Sequence, residues 1–316
     1  MSDLQQRVPG HSLIEKLMTE FEAGRICVDQ ESQRVVIDDE SLSWYRGVLG
    51  ERRAGDILDR LGDDYTVLHS VPFKKRSADI DHVVIGPSGV VVINTKHSPG
   101  KAVWSAGYGL RVGASPQNGH IQSLRAALVE VERRLSNAVG MAVPVRGILC
   151  FIEPSRITRK AAAGGELDHP MEVLGDRELA SAIHRRREIS NEQQARITAA
   201  ALRPDTWHDS PTASTKGDHI AQEFDALHAE IGPFVEQRWR EIAVERSAAR
   251  GAAQRVPSRA PVRRPSARPI RRPAPSRSAP LLARLLGAAV GAAAVFGAYW
   301  LASTVFADLL ISALLP

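Results

Sequence analysis

Apolar positions recur along this chain with two different periods, and the switches between them mark its elements. Leu13, Leu17 and Phe21 lie at helical spacing within residues 12–22, which predicts an amphipathic helix. Arg34-Val35-Val36-Ile37 reads as a short strand. Ala54, Ile57, Leu58 and Leu61 form an apolar stripe behind Gly50-Glu51-Arg52-Arg53, so a helix is expected to open at Gly50 and to break at Gly62-Asp63-Asp64. Strand patterns follow at Tyr65–Leu68, Ile80–Ile85 and Val90–Lys96. The last is continuously apolar from Val90 to Ile93 and belongs at the centre of a sheet. Gly86-Pro87-Ser88-Gly89 supplies the turn before it. Further strands are expected at Gly109–Val112, Val145–Ile152 and Met171–Leu174. Helices are expected from Asn118 through Leu135, from a cap at Asp176 to Arg187, and from a cap at Asn191 to Leu202. The alternation predicts an α/β domain over residues 47–205, a central mixed sheet flanked by helices, with residues 1–46 as a helical and strand extension.

The pattern then changes. Residues 216–249 read as one or two long polar helices, with Pro233 marking a break or a new first turn. Residues 250–280 carry seven prolines among Arg, Ser and Ala. Such a composition cannot bury a core and predicts a disordered, semi-extended linker. From Leu285 to Ala307 there are 23 residues without a charge. As a helix they span roughly 34 Å, enough for the hydrocarbon core of a bilayer. No signal peptide opens the chain, so residues 285–307 are expected to be the single membrane pass. The arginines on its N-terminal flank place that side, and the α/β domain with it, in the cytoplasm of a cell-membrane protein, and they suit anionic head groups. Gly287 and Gly291 form one G-x-x-x-G, a face on which the helix could pair into a homodimer.

Charge refines this picture. The formal net charge is +5, but ten arginines fall between Arg250 and Arg284 and no acid lies between Glu245 and Asp308. Setting that arm aside leaves 31 Lys and Arg against 35 Asp and Glu in residues 1–249, a net of −4. The folded part is therefore not a uniformly basic nucleic-acid-binding domain. Cys27 and Cys150 offer neither a disulfide framework nor a metal clip, which suits a reducing compartment.

Candidate chemistry concentrates between Gly50 and Gln122. Asn94 and Lys96 are two apart on a strand and share a face. A hairpin through Gly86–Gly89 brings Asp81 beside them, and Glu51 can approach from the preceding helix. Carboxylates to hold Mg²⁺ and a lysine to position water and stabilise charge are the parts that phosphodiester hydrolysis needs. Asp79 is expected on the face opposite Asp81. His82 and His97 lack a paired-histidine spacing and read as structural. Lys74, Lys75 and Arg76 sit in the loop before the Asp81 strand, where a nucleic-acid backbone could be met.

Taken together, Gly50-Glu51, Ile80-Asp81-His82, Gly86-x-x-Gly89 and a Val-rich strand ending at Lys96 resemble the nuclease-related domain, a family grouped with the PD-(D/E)XK restriction-endonuclease-like fold. Asn118-Gly119-His120-Ile121-Gln122 is similar to that family's N-P-x-x-Q helix start, with Gly in place of Pro. The resemblance covers about residues 45–150. It implies a restriction-endonuclease-like sheet and Mg²⁺-dependent cleavage of DNA or RNA. Glu51 and Asp81 would bind the metal, Lys96 would serve catalysis and Gln122 would support the site. The family's Glu-x-Lys is here Asn94-Thr95-Lys96. Asn94 offers a metal a neutral oxygen but no charge, which weakens a hard-cation site. Two further readings follow. One is a catalytically impaired module that binds nucleic acid or protein at the membrane. The other is a membrane scaffold that associates through Gly287, Gly291 and the helices at 216–249.

Overall fold

A computed structural model of the chain describes residues 3–72, 79–164, 169–184, 188–207 and 217–254. Lys74, Lys75, Arg76, the linker from residue 255 onward and the expected membrane span at 285–307 lie outside the described residues. Among the described residues no helix is long and apolar enough to cross a membrane.

A short 3-10 turn (Asp3–Gln6) leads into helix α1 (His11–Glu22), a small hairpin of β1 (Cys27–Asp29) and β2 (Arg34–Val36), and α2 (Asp39–Leu58). Strands β3 (Thr66–Pro72), β4 (Asp79–Gly86), β5 (Gly89–His97), β6 (Ala102–Gly107), β7 (Gly109–Val112) and β8 (Ser115–Pro116) precede α3 (Gly119–Val139). Then come β9 (Val145–Ile152), β10 (Arg156–Ala163), β11 (Met171–Gly175), α4 (Asp176–Ile183), α5 (Asn191–Ala201), α6 (Pro204–Trp207) and α7 (Gly217–Gln254).

The nine strands β3–β11 form one mixed sheet in the order β3-β4-β5-β9-β11-β10-β6-β7-β8. All eight residues of β9 are buried. It pairs in parallel with β5 from Val90↔Val145 to His97↔Ile152, so β5 is interior as its apolar run predicts. Helices cover both faces. Val90 and Val92 pack with Leu124, Leu128 and Val131 of α3. Val91 and Ile93 pack with Ala54 and Leu58 of α2 and with Leu179 and Ile183 of α4. A third core lies on the far side of α2, where Leu42, Tyr45 and Val48 meet Ile14 and Leu17 of α1 and Ile220, Phe224, Leu227, Ile231 and Val235 of α7.

Several expectations are revised. Helix α2 starts at Asp39, not at Gly50, because Asp38 caps it by accepting from the Ser41 amide at 2.7 Å. The stripe over Ala54–Leu58 faces the sheet, while Leu42, Tyr45 and Val48 face α1 and α7, so two apolar faces obscure one helix. The expected 46/47 boundary falls inside α2. Residues 217–254 form a continuous helix through Pro233 with its own apolar stripe, and its last five residues occupy the expected start of the linker. The cap of α4 is Gly175, whose amide donates to Glu178, and that of α5 is Ser190, which accepts from the Gln193 amide. Strands β6 and β10 have no counterpart in the apolar pattern.

Candidate active site

The β4–β5 hairpin turns through Pro87 and Ser88, with Gly86 paired to Gly89, and its register sets His82 opposite Ile93. Gly89 holds φ +91° and a Cβ there would strike the Pro144 carbonyl, so the tight turn requires glycine. One step further along the pair, the Thr95 amide donates to Asp81 Oδ2 at 2.5 Å. Lys96 Nζ donates to the Thr95 carbonyl at 2.9 Å. Glu51, in the interior of α2 and only 7% exposed, accepts from the Gly10 amide at 3.0 Å and from Ser70 Oγ at 3.5 Å. Glu51, Asp81 and Lys96 line one cavity of about 860 Å³, together with Thr95, Gln117 and His120. The size is that of a ligand site.

The electrostatics of this cavity are strained. Burial pushes the Glu51 carboxyl well above the usual carboxylate range, and the neighbouring Asp81 carboxylate adds to the rise while Lys96 opposes it. Asp81 is also raised by burial, and Lys96 and the Thr95 amide partly offset this. Two acids thus share one lysine in a poorly solvated place, which leaves a demand for more positive charge. His120 is pushed down to about 4 by burial and by the Lys96 charge, so its imidazole is neutral at pH 7.

The other candidates fall in different places. Asn94 follows Val90 and Val92 onto the α3 face of β5, as Lys96 does, but its side chain does not line the cavity, and its buried Oδ1 has no hydrogen-bond partner. Gln122 is exposed on α3 and stands outside the cavity. Ile121 and Leu124 turn that helix toward the core, and Gln117 and His120 occupy the lining instead. Asp79 does not face away from Asp81. The two are two residues apart on β4, so they share a face, and both line the cavity. Asp79 accepts from Ser12 Oγ at 2.5 Å and pairs with the buried Arg7 at 2.8 Å, and Arg7 Nε also donates to the Ser70 carbonyl at 2.7 Å. The strand period alone could have shown Asp79. Nothing local in the sequence marks Arg7, Gly10 or Ser12, which meet the site from 41 to 72 residues away.

Of the two histidines expected to be structural, His97 lines the cavity, whereas His82 lies outside it. His82 is fully buried, meets His69 Nδ1 to Nδ1 at 2.8 Å, and is held well below its usual pKa by burial. Both cysteines are free, and Cys150 is buried. Among the described residues no group of three or more His, Cys, Asp or Glu is arranged for a metal. A Mg²⁺ of the kind the resemblance implies would here be held by one or two carboxylates and its own waters. The residues fit such an ion. Two raised carboxyls need a cation, their donors are all oxygen, and Mg²⁺ keeps several waters when held by one or two carboxylates.

These features define a mixed-sheet α/β domain whose cavity joins the buried Glu51 and the half-buried Asp81 to a strand-end lysine. A family model described as NERD, nuclease-related domain, matches residues 46–152, a third of the chain, and supports a nuclease-related function. No curated protein and no solved structure matches the chain.

Proposed function

We propose that this domain hydrolyses phosphodiester bonds of DNA or RNA with a divalent cation at Glu51 and Asp81. The observation that carries the reading is the convergence of Glu51, Asp81 and Lys96 in one cavity, with both carboxyls raised by burial. A bound Mg²⁺ would polarise the phosphate and acidify a water. The chain's own groups do the rest. The Gly10 amide and the Ser70 hydroxyl fix the Glu51 carboxylate, and the Thr95 amide fixes Asp81. Lys96, tethered to the Thr95 carbonyl, sets a positive charge where the phosphoryl oxygens gain negative charge. Neutral His120 can hydrogen-bond the scissile phosphate without competing for the cation.

The test is cleavage of labelled single- and double-stranded DNA and RNA by the full chain with Mg²⁺ or Mn²⁺. Asp81→Asn and Lys96→Ala are expected to lower the rate by about 10²–10³-fold each. Undiminished cleavage by Lys96→Ala would remove the mechanism. One observation favours a second reading, a nucleic-acid-binding module with an incomplete site: Asn94 supplies no charge and stands outside the cavity lining. On that reading the folded wild type is inert, and Asn94→Glu confers cleavage. We further propose that residues 285–307, with no charge over 23 positions, anchor the domain on the cytoplasmic face of the cell membrane. Resistance of the full chain to alkaline extraction from membranes, lost when 285–316 are deleted, tests the anchor.

A further inference from the structure

We propose that the outward face of β10, β6 and β7 is a binding surface for single-stranded nucleic acid, distinct from the Glu51–Asp81 cavity. Strand alternation sends Val103, Ser105 and Leu110 into the core, where each is buried. Trp104 and Arg111 therefore face out. The register sets Trp104 opposite Arg111 on β7 and beside Thr158 on β10, with Arg156 beside Ala102. Arg156, Thr158, Trp104 and Arg111 thus share one face across three strands.

The chemistry of this face is one-sided. The Arg111 guanidinium lies 4.8 Å from the centre of the Trp104 ring. Tyr108, at the β6–β7 turn, is 47% exposed, and Arg111 and Arg156 are exposed as well. Strands β6, β7, β8 and β10 contain no Asp or Glu. Arg159, of the opposite parity on β10, pairs with Glu178 at 2.5 Å. This acid-free cationic and aromatic face stands out in a domain whose residues 1–249 carry a net negative charge.

Such a face matches one class of polymer. Aromatic rings and a guanidinium plane on a sheet offer stacking surfaces to unpaired bases, which a duplex keeps inside its own stack. The arginines meet the phosphates, and the Thr158 hydroxyl can bond a base edge. Val112, of the same parity as Leu110, turns to the inner face and lines the cavity, so the proposed surface and the candidate active site are served by opposite faces of β7.

The experiment measures binding of fluorescein-labelled mixed-sequence oligonucleotides, single- and double-stranded, to the full chain in detergent. A chelator is present so that hydrolysis plays no part. The wild type is expected to prefer the single strand, with affinity falling as salt rises. Tyr108→Ala combined with Arg156→Glu is expected to weaken it about tenfold, and Tyr108→Phe to retain it. Both positions are exposed, so the variant keeps the fold, which its thermal melt verifies. Equal binding by variant and wild type overturns the proposal, as does a wild type that binds no single strand. So does a full chain that takes anionic phospholipid vesicles through Tyr108 and Arg156 but no oligonucleotide. Loss of cleavage alone leaves this surface untouched, and loss of this surface leaves the cavity's chemistry intact.

Discussion

At the scale of residues, the buried Glu51 sets a conflict between stability and chemistry. The folded-state pKa of Glu51 is raised, so the fold binds its proton more tightly than the unfolded chain does. Stability from this group is full below the ordinary carboxylate pKa and is lost as pH rises through the folded value. At neutral pH Glu51→Gln removes that loss while its amide oxygen still accepts from Gly10. The variant is expected to melt about 2–4 °C higher at pH 8, with the gain shrinking toward pH 4 and no cleavage remaining. Equal melting at pH 8 would remove the case for a strained carboxyl. His120 acts in the other sense. Its depressed pKa withdraws stability as pH falls from its ordinary 6.5 toward about 4, so His120→Gln is expected to flatten the acid limb of the melting profile. Arg7 is 7% exposed at its side chain and holds Asp79, Ser12 and the Ser70 carbonyl. Arg7→Ala leaves Asp79 without its counter-charge, and denaturant titration is expected to show a loss of about 3 kcal/mol.

Site legibility at this scale followed the range of the contacts. Asp81, Lys96 and Glu51 are readable because a hairpin and an adjacent helix bring them together within the span of one motif. Gln122 is misplaced because a motif gives helix position without rotation, and the core-facing Ile121 and Leu124 decide the rotation. Arg7 is invisible because its partners are 63 and 72 residues away.

Among the elements, α2 carries the most. One face packs on β5 and β9, the other on α1 and α7, and Glu51 sits between them. The helix approaches β5 so closely that a Cβ at Gly50 would lie 3.0 Å from that of His97. Gly50→Ala is expected to cost about 1–3 kcal/mol in a urea melt, although alanine is the better helix former. Stabilisation instead would mean that α2 has room to move. The same crowding explains why a helix opening was expected at Gly50: a glycine required by packing looks like punctuation. Strands β5 and β9 were legible because both are interior and carry continuous apolar runs, Val90–Ile93 and Ile148–Ile152. Strands β6 and β10 were not, because one face of each carries Trp, Thr, Arg and Lys toward solvent.

At the scale of the molecule, the nuclease-related match ends at residue 152, but the fold does not. Outside it lie β10, β11, α4 and α5, the Gly10 amide on Glu51, and both partners of the outer face of α2. A fragment of residues 46–152 alone is therefore expected to lack a cooperative melt by circular dichroism, whereas residues 1–254 retain one. The α/β class, the interior place of β5 and its hairpin with β4 were visible in the sequence. The third core was not, since it joins segments about 200 residues apart.

That third core also governs how the chain must be made. Ile14 and Leu17 are fully buried, and their partners on α7 begin at Ile220. At about 5–20 residues per second, a ribosome reaches those partners roughly 10–40 s after α1 has emerged. During that interval α1 can pack on α2 but lacks its α7 partners, while the hairpin of β4 and β5 can already close locally. Newly made chains halted before residue 217 are thus the form most exposed to chaperones and to aggregation, and α7 is the helix that completes the packing of α1.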